Sequence, residues 1–430
     1  MSRFPTVAIV GSGPSGCYVA QALQKKWPEV QITILEALPA PYGLVRYGIA
    51  ADHQGSKSVI QQFERVLSKT GTRFFGNVSV GRDISYDKLV AAFDIVVFAV
   101  GLGSDTKLKI PTTGQPVMLG AGTLLKYLNG HPLINAPTFQ ERSVPRLGDH
   151  VCVIGAGNVA IDVARLILKR DEDLLGSDVS DEARTMLGTK QVQRVTVVSR
   201  SKATVAKCDL SMLEELLALP GLSVSVRGIA EDELGSIVQA VSKSVRASQD
   251  QTGSNIYLDL VFNATPLRVN RRGKGAEVLL VNSDQVEFSL HVDTVVTAIG
   301  FDNSAVGSEL LPPDYKGEPG IYKVGWYHRG PRGTVAENRK DAKIVADTII
   351  NEFDEGLVVA RKVGYESLRK DLPTTAVDFN GWKKIDQYEL ATAGVKRCRR
   401  KVTDIQVMLR LAHDDEDRAE PVSDMPALIA

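Results

Sequence analysis

The sequence predicts an α/β protein built on two Rossmann-like, three-layer dinucleotide-binding domains. Two observations carry that prediction. Gly11-Ser12-Gly13-Pro14-Ser15-Gly16 directly follows the apolar run Val7-Ala8-Ile9-Val10. Gly155-Ala156-Gly157-Asn158-Val159-Ala160 directly follows Val151-Cys152-Val153-Ile154. Each loop stands where a strand turns into a helix, the context in which a glycine-rich loop cradles a pyrophosphate. Two such loops in one chain point to two dinucleotides held at once, usually to pass electrons between them.

Residues 6–36 read as strand, glycine turn, helix and strand, a complete βαβ unit. Its helix runs from Ser15 to about Lys26 and carries Val19, Ala20, Ala22 and Leu23. Its second strand, over 30–35, ends at Glu36. Residues 37–57 form a long loop rich in Pro, Gly and Tyr, and a loop of that length in a compact domain is usually functional. A helix over 56–69 and a buried strand over 93–100 follow, closed by Gly101-Leu102-Gly103.

The connector over 104–116 changes composition and leaves the first lobe. The second βαβ unit spans 151–199, with Val159, Val163, Leu166 and Ile167 at helical spacing. A polar insertion over 169–193 precedes its second strand at 195–198. The region from there to about Ile299 reads as largely β, and 294–300 as a buried strand ending in glycine. A helix over 339–353 comes next, and Asp414-Asp415-Glu416-Asp417 is expected in a disordered tail.

Composition sets the class. With 430 residues the chain can fold two or three domains, and 43% hydrophobic with 24% charged residues is ordinary for a globular protein. The 51 basic and 51 acidic residues balance, so net charge gives no pointer to nucleic acid. No apolar run approaches the roughly 20 residues of a membrane helix, and the first strand begins too early to leave room for a signal or transit peptide. Cys17, Cys152, Cys208 and Cys398 form no CxxC pair, which fits a reducing cytoplasm and argues against a dithiol centre. The six histidines show no metal-ligand spacing, so no metal is expected.

Each residue of the first loop has a physical task. Gly11 permits the tight turn, Gly13 lets the backbone approach a pyrophosphate, and Gly16 lets helix and strand pack closely. Glu36 lies twenty positions after Gly16, at the end of the second strand. A carboxylate there accepts hydrogen bonds from ribose hydroxyls and repels a 2′-phosphate, so this site suits FAD or NAD. The second loop has the same mechanics, but its second strand ends at Ser199-Arg200-Ser201-Lys202. A basic residue at that place favours the 2′-phosphate of NADP. One acidic and one basic strand end therefore give FAD in the first site and NADPH in the second.

Three segments carry a family resemblance: residues 41–53 (Pro-Tyr-Gly-Leu-Val-Arg-Tyr-Gly-Ile-Ala-Ala-Asp-His), 155–165, and 325–335 (Gly-Trp-Tyr-His-Arg-Gly-Pro-Arg-Gly-Thr-Val). They resemble adrenodoxin-reductase-type ferredoxin–NADP reductases, as does the C-terminal stretch 380–386. The resemblance covers nearly the whole chain. It implies an NADP domain inserted into a discontinuous FAD domain, here 1–105 and 318–430 for FAD and 106–317 for NADP. It implies FAD contacts from Ser15, Glu36, Leu44 and Val80, with Trp326, Gly333, Thr334 and Val335 closing over the isoalloxazine. Gly155, Ala156, Gly157, Asn158 and Val159 would hold the NADPH pyrophosphate. His53 and Asp162 match a polar pair near the flavin and nicotinamide, and Glu215 an acidic neighbour. The implied activity is hydride transfer from NADPH to FAD N5, then single electrons to a ferredoxin-type iron–sulfur protein, with flavodoxin or a cytochrome P450 chain as other acceptors.

The sequence departs from the family at the 2′-phosphate clamp. Ser201 and Lys202 follow Arg200 where the family has a second arginine and a glycine, and Met212 replaces a glutamate on the nicotinamide-side ribose. Arginine and lysine are not interchangeable at such a site. The expectation is a preference for NADPH over NADH by a narrower margin than in relatives with both arginines. Basic candidates for docking an acidic partner are Lys243, Arg246, Arg268, Arg271, Arg272 and the denser cluster Lys396, Arg397, Arg399, Arg400 and Lys401. Two other flavin-enzyme classes lack support: thioredoxin reductases need a CxxC, and glutamate-synthase-like subunits need N-terminal cysteine clusters. A nucleotide sensor without turnover is the contrasting class, and the intact 325–335 segment speaks against it.

Overall fold

The computed structural model describes residues 4–134, 146–230, 232–249, 253, 255–302, 310–311, 317–331, 333 and 335–414. Thr334 and the acidic residues Asp415, Glu416 and Asp417 lie outside them.

Two parallel sheets organise the chain. The first has five strands in the order Ile321–Lys323, Ile95–Phe98, Thr6–Val10, Gln31–Leu35, Thr72–Phe75. Four of these come from the first hundred residues and one from beyond residue 320. The second has six strands, in the order Leu222–Arg227, Ile256–Val261, Arg194–Val198, His150–Ile154, Thr294–Thr297, Met118–Gly120. All pairings in both sheets are parallel. Parallel sheets are covered on both faces, which is why these strands read as unbroken apolar runs such as Val7–Val10 and Val151–Ile154.

The second sheet shows the three layers. On one side the helices Asn158–Leu168, Leu210–Leu217 and Ser236–Gln249 pack through Val163, Leu166, Leu213 and Val241 against Val153, Val197 and Leu258. On the other side a meander of Ala264–Arg272, Gly275–Asn282 and Glu287–Val292 seats Val269, Val278 and Leu280 on Cys152, Val198 and Val261. The C-terminal helices Phe379–Ala391 and Ile405–His413 return to the first sheet, where Trp382, Ile385 and Met408 join its core. Among the described residues no helix is long and apolar enough to cross a membrane.

Several element boundaries differ from the sequence reading. The expected loop over 37–57 contains the helical segments Gly43–Tyr47 and Gln54–Lys57, too short to show a period. The helix expected over 56–69 is Ile60–Leu67, and the one expected over 339–353 is Val335–Asp354. The polar insertion holds the helix Asp181–Leu187, whose first turn is capped by Ser180 Oγ accepting from Ala183 N at 3.1 Å. The region read as largely β contains two helices, Leu210–Leu217 and Ser236–Gln249. Parallel neighbours require such crossovers, and Leu222–Arg227 and Ile256–Val261 are parallel.

Candidate active site

Each glycine loop sits at the point where its sheet reverses strand order, the usual crevice for a dinucleotide. Gly11 (φ 102°) leaves Thr6–Val10 beneath the carbonyl of Ala99, just past the neighbouring strand. Gly155 (φ 122°) leaves His150–Ile154 beneath the carbonyl of Ala298 in the same relationship. A Cβ at either position would collide with that carbonyl. Gly13 and Gly157, by contrast, face open space with nothing within 4 Å of a built Cβ. Both precede a helix, Pro14–Lys26 and Asn158–Leu168, whose first-turn amides, other than Pro14, which has no N–H, lack an intrahelical acceptor and suit an anion. The two cradles are thus shaped for phosphate.

Around the first cradle the segments quoted from the sequence converge. Glu36 Oε2 accepts from Ser12 N at 3.0 Å and Ser12 Oγ at 2.6 Å, and Oε1 from Leu38 N at 3.1 Å. A carboxylate offers roughly four acceptor sites, so one remains for a ribose hydroxyl. Tyr42, buried at a left-handed φ of 81°, turns the chain so that Gly43 abuts Gly13. Leu44 then lies on the Gly43–Tyr47 helix, while Val80 is buried in the core cluster beneath the strand ends. Ser15 packs directly against Gly325. Asp341 fixes the following turn, accepting from Gly325 N at 2.5 Å and pairing with Arg329 at 3.0 Å. Trp326 stands on that turn, 5.3 Å from Phe301, and among the described residues its buried indole N–H has no hydrogen-bond partner. An indole N–H in that state fits an absent ligand acceptor. Gly333 is exposed beside Glu337, and Val335 opens the Val335–Asp354 helix.

His53, Asp162 and Glu215 come together between the two lobes. His53 Nε2 lies 2.9 Å from Glu215 Oε2, and Nδ1 lies 3.7 Å from Asp162 Oδ1. Asp162 is on the helix that opens at the second glycine loop, and Glu215 on Leu210–Leu217. Burial raises the Asp162 carboxyl above its ordinary value, opposed by Arg165 and His53. Behind it, Arg165 reaches across to Asp52 with Nε–Oδ2 2.8 Å and Nη2–Oδ1 2.9 Å, and Lys169 adds 2.9 Å. Burial alone would raise the Asp52 carboxyl, but these cations outweigh it and hold it well below the usual range.

The second cradle differs in its rim. The Asn158 side chain is held by Asp209, donating from Nδ2 to Oδ2 at 2.6 Å and accepting at Oδ1 from Asp209 N at 2.7 Å. Ala156 and Val159 pack partly on the core. Met212 does the same, half-buried against the helix layer. Arg200 and Lys202 are exposed, and Ser201 is tied to Ser199 Oγ at 3.2 Å.

The profile of the pyridine nucleotide-disulphide oxidoreductase family matches residues 5–219. Cindoxin reductase of Citrobacter braakii is 37% identical over 95% of this chain and 92% of its own. A probable ferredoxin/ferredoxin–NADP reductase of Mycobacterium leprae is 32% identical over 95% of this chain and 78% of its own. The chain belongs to the adrenodoxin-reductase-type ferredoxin–NADP reductases. The structure of Mycobacterium tuberculosis FprA in complex with NADPH superposes on this reductase with a TM-score of 0.84 at 29% identity, covering 95% of this chain and all of that one.

In this reductase the residues that sequence reasoning missed are Asp52, Arg165 and Lys169. Two of them lay inside the quoted motifs, next to His53 and three positions after Asp162. Their charges gave a signal, but their pairing across 113 residues did not. The C-terminal basic cluster takes a different role from the docking one considered for it. Arg397 pairs with Asp181 at 2.7 Å, Arg399 with Asp386 and Glu389 at 2.6 Å and 3.0 Å, and Lys401 with Asp178 at 2.7 Å. Those side chains are largely buried, and only Lys396 and Arg400 remain exposed.

Proposed function

We propose that this chain is an FAD-dependent reductase that draws on NADPH and delivers electrons to a ferredoxin-type iron–sulfur protein. FAD, when bound, accepts a hydride at N5 and gives electrons up one at a time, which nicotinamide does not do. The observation that carries the reading is the contact of His53 with Asp162 and Glu215, which brings the flavin-side segment against the helices behind the second cradle.

The chain's own contribution is binding and alignment. Gly11, Gly13, Ser15, Gly16 and Glu36 would hold the FAD pyrophosphate and ribose, with Leu44, Val80, Trp326, Gly333, Thr334 and Val335 around the flavin. Gly155, Ala156, Gly157, Asn158 and Val159 would hold the NADPH pyrophosphate, and Arg200, Ser201 and Lys202 its 2′-phosphate, with Met212 at the ribose. His53, Asp162 and Glu215 would line the place where the reactive ends meet. Holding two rings in contact supplies much of the rate of such a transfer. The boundaries 1–105, 106–317 and 318–430 are those the family resemblance implies, and the placing of the strands of the two parallel sheets on either side of them supports that division. All four cysteines are free, which supports a cytoplasmic location. Ferredoxin, flavodoxin or the iron–sulfur partner of a cytochrome P450 would meet the same face.

Anaerobic stopped-flow reduction by NADPH and by NADH, followed by mixing with ferredoxin or flavodoxin, tests the reading. Purified protein should be yellow, should be reduced faster by NADPH, and should pass its electrons to the ferredoxin. A colourless protein would sink it, and equal kcat/KM for the two nucleotides would sink the preference for NADPH.

A further inference from the structure

Ser201 leaves the 2′-phosphate site one guanidinium short of the family pattern. The neighbouring strands show where a substitute stands. Arg194–Val198, Ile256–Val261 and Leu222–Arg227 are consecutive in the sheet, and Val198, Val261 and Arg227 share one level of the register. Arg227 therefore ends its strand two positions across the sheet from Val198, about 10 Å away at the usual strand spacing. Two levels back, Ser225 Oγ donates to Asp259 Oδ1 at 2.6 Å and Thr196 Oγ1 to Asp259 Oδ2 at 3.2 Å. Side chains alternate along a strand, so Arg227 shares the face of Ser225 and Val198.

Beyond the strands the two loops are joined. Asn263, at a left-handed φ of 53°, donates its backbone N–H to Ser201 O at 3.3 Å and its Nδ2 to Gly228 O at 2.8 Å. Glu233 Oε1 accepts from Thr204 N at 3.2 Å and Thr204 Oγ1 at 3.1 Å, while Oε2 accepts from Ala230 N at 3.4 Å. The stretch after Val198 and the turn after Arg227 thus form one surface. It presents Arg200, Lys202 and Arg227, all exposed, and among the described residues none has a side-chain hydrogen bond or ion pair. The acids beside them are Glu233, committed to Thr204 and Ala230, and exposed Asp232. A phosphate monoester, with a charge of about −1.5 to −2, is the group such a surface suits.

We infer that Arg227 supplies the second guanidinium for the 2′-phosphate of NADPH, reaching from the neighbouring strand to the place where Ser201 falls short. Asn263 is the positioning residue that joins the two loops. The inference rests on the NADPH reading of the second cradle.

Calorimetric titration of the FAD-loaded protein with adenosine 2′,5′-bisphosphate and with AMP tests it, because the two differ only in the 2′-phosphate. The parent should prefer the bisphosphate. Arg227→Ala should cut that preference by about tenfold or more, the scale of a lost charged hydrogen bond. Arg227→Lys should recover part of it, and the NADPH-to-NADH ratio of kcat/KM should fall with the binding ratio. A preference unchanged in Arg227→Ala but lost in Arg200→Ala overturns the role of Arg227 and leaves the NADPH reading standing. No preference in the parent overturns both.

Discussion

Asp52 and Arg165 form a bidentate ion pair, 2.8 Å and 2.9 Å, between the residue preceding His53 and the helix that opens at the second glycine loop. The Arg165 side chain is fully buried and that of Asp52 is 5% exposed. Breaking such a pair leaves a charge without compensation, which typically costs about 3–5 kcal/mol. Asp52→Ala should fall near the lower end, because Arg165 keeps Asp162 at 2.7 Å. Denaturant unfolding of the FAD-loaded protein measures it, and a loss under 1 kcal/mol would show that the pair contributes little. The pH dependence has a definite sign. Asp52 titrates lower in the fold than in the open chain, so its contribution is complete above about pH 4 and fades as pH falls below it. Asp52→Asn should flatten the acid limb of the stability curve.

His53 tests whether the inter-lobe site works by proton transfer or by alignment. General acid–base catalysis is worth about 10²–10⁴ in rate. Hydride transfer itself needs no proton donor. His53→Ala should therefore slow single-turnover flavin reduction by less than about tenfold, far below the acid–base range. A loss of a hundredfold or more would make His53 a proton carrier in the slow step. Glu215→Gln is the companion variant. The Glu215 side chain is 54% exposed, and surface pairs of this kind are worth about 0–1 kcal/mol, so its melting temperature should stay near the parent's.

Much of this site was legible because local sequence dictates it. The two glycine loops, Glu36, and the strands beside them follow from steric demands at single positions, and each stands where the pattern put it. The short helices Gly43–Tyr47 and Gln54–Lys57 left no period to read. The pairing of Asp52 with Arg165, and of Lys401 with Asp178, depends on how the lobes pack, and no spacing in the chain encodes it. The C-terminal basic cluster resembled a docking patch for the same reason: charge is visible in a sequence, whereas its partner is not.

Gly11 and Gly13 separate folding from cofactor binding. Gly11 has φ 102° and an obstructing Ala99 carbonyl, so Gly11→Ala should destabilise the protein by a few kcal/mol, about 1–3 of it from backbone strain alone. Gly13 has φ −68° and open space beyond it. Gly13→Ala should fold with near-parental stability of the apoprotein yet release FAD more readily, because the added methyl enters the phosphate cradle. Flavin content after gel filtration and apoprotein unfolding read the two effects separately. Equal flavin retention by Gly13→Ala and the parent would remove the pyrophosphate from that position.

The basic residues divide into two groups with opposite expected behaviour. Lys57 and Lys401 both bind Asp178, at 2.7 Å each, and all three side chains are about 5% exposed or less. Asp178→Ala should therefore destabilise the fold strongly, by about 3–5 kcal/mol, since it strands two buried ammonium groups. Lys243, Arg246 and Arg268 are exposed on the Ser236–Gln249 helix and the meander, and among the described residues they form no ion pair. Replacing them with serine should leave stability within about 0.5 kcal/mol, as surface changes do. If they form the docking face, these replacements raise KM for an acidic ferredoxin while ferricyanide reduction stays constant. Rising salt should do the same to the parent, because exposed charges are screened beyond about 8 Å at physiological ionic strength. Ferredoxin reduction that ignores both salt and the three replacements would move the docking face to another part of the surface.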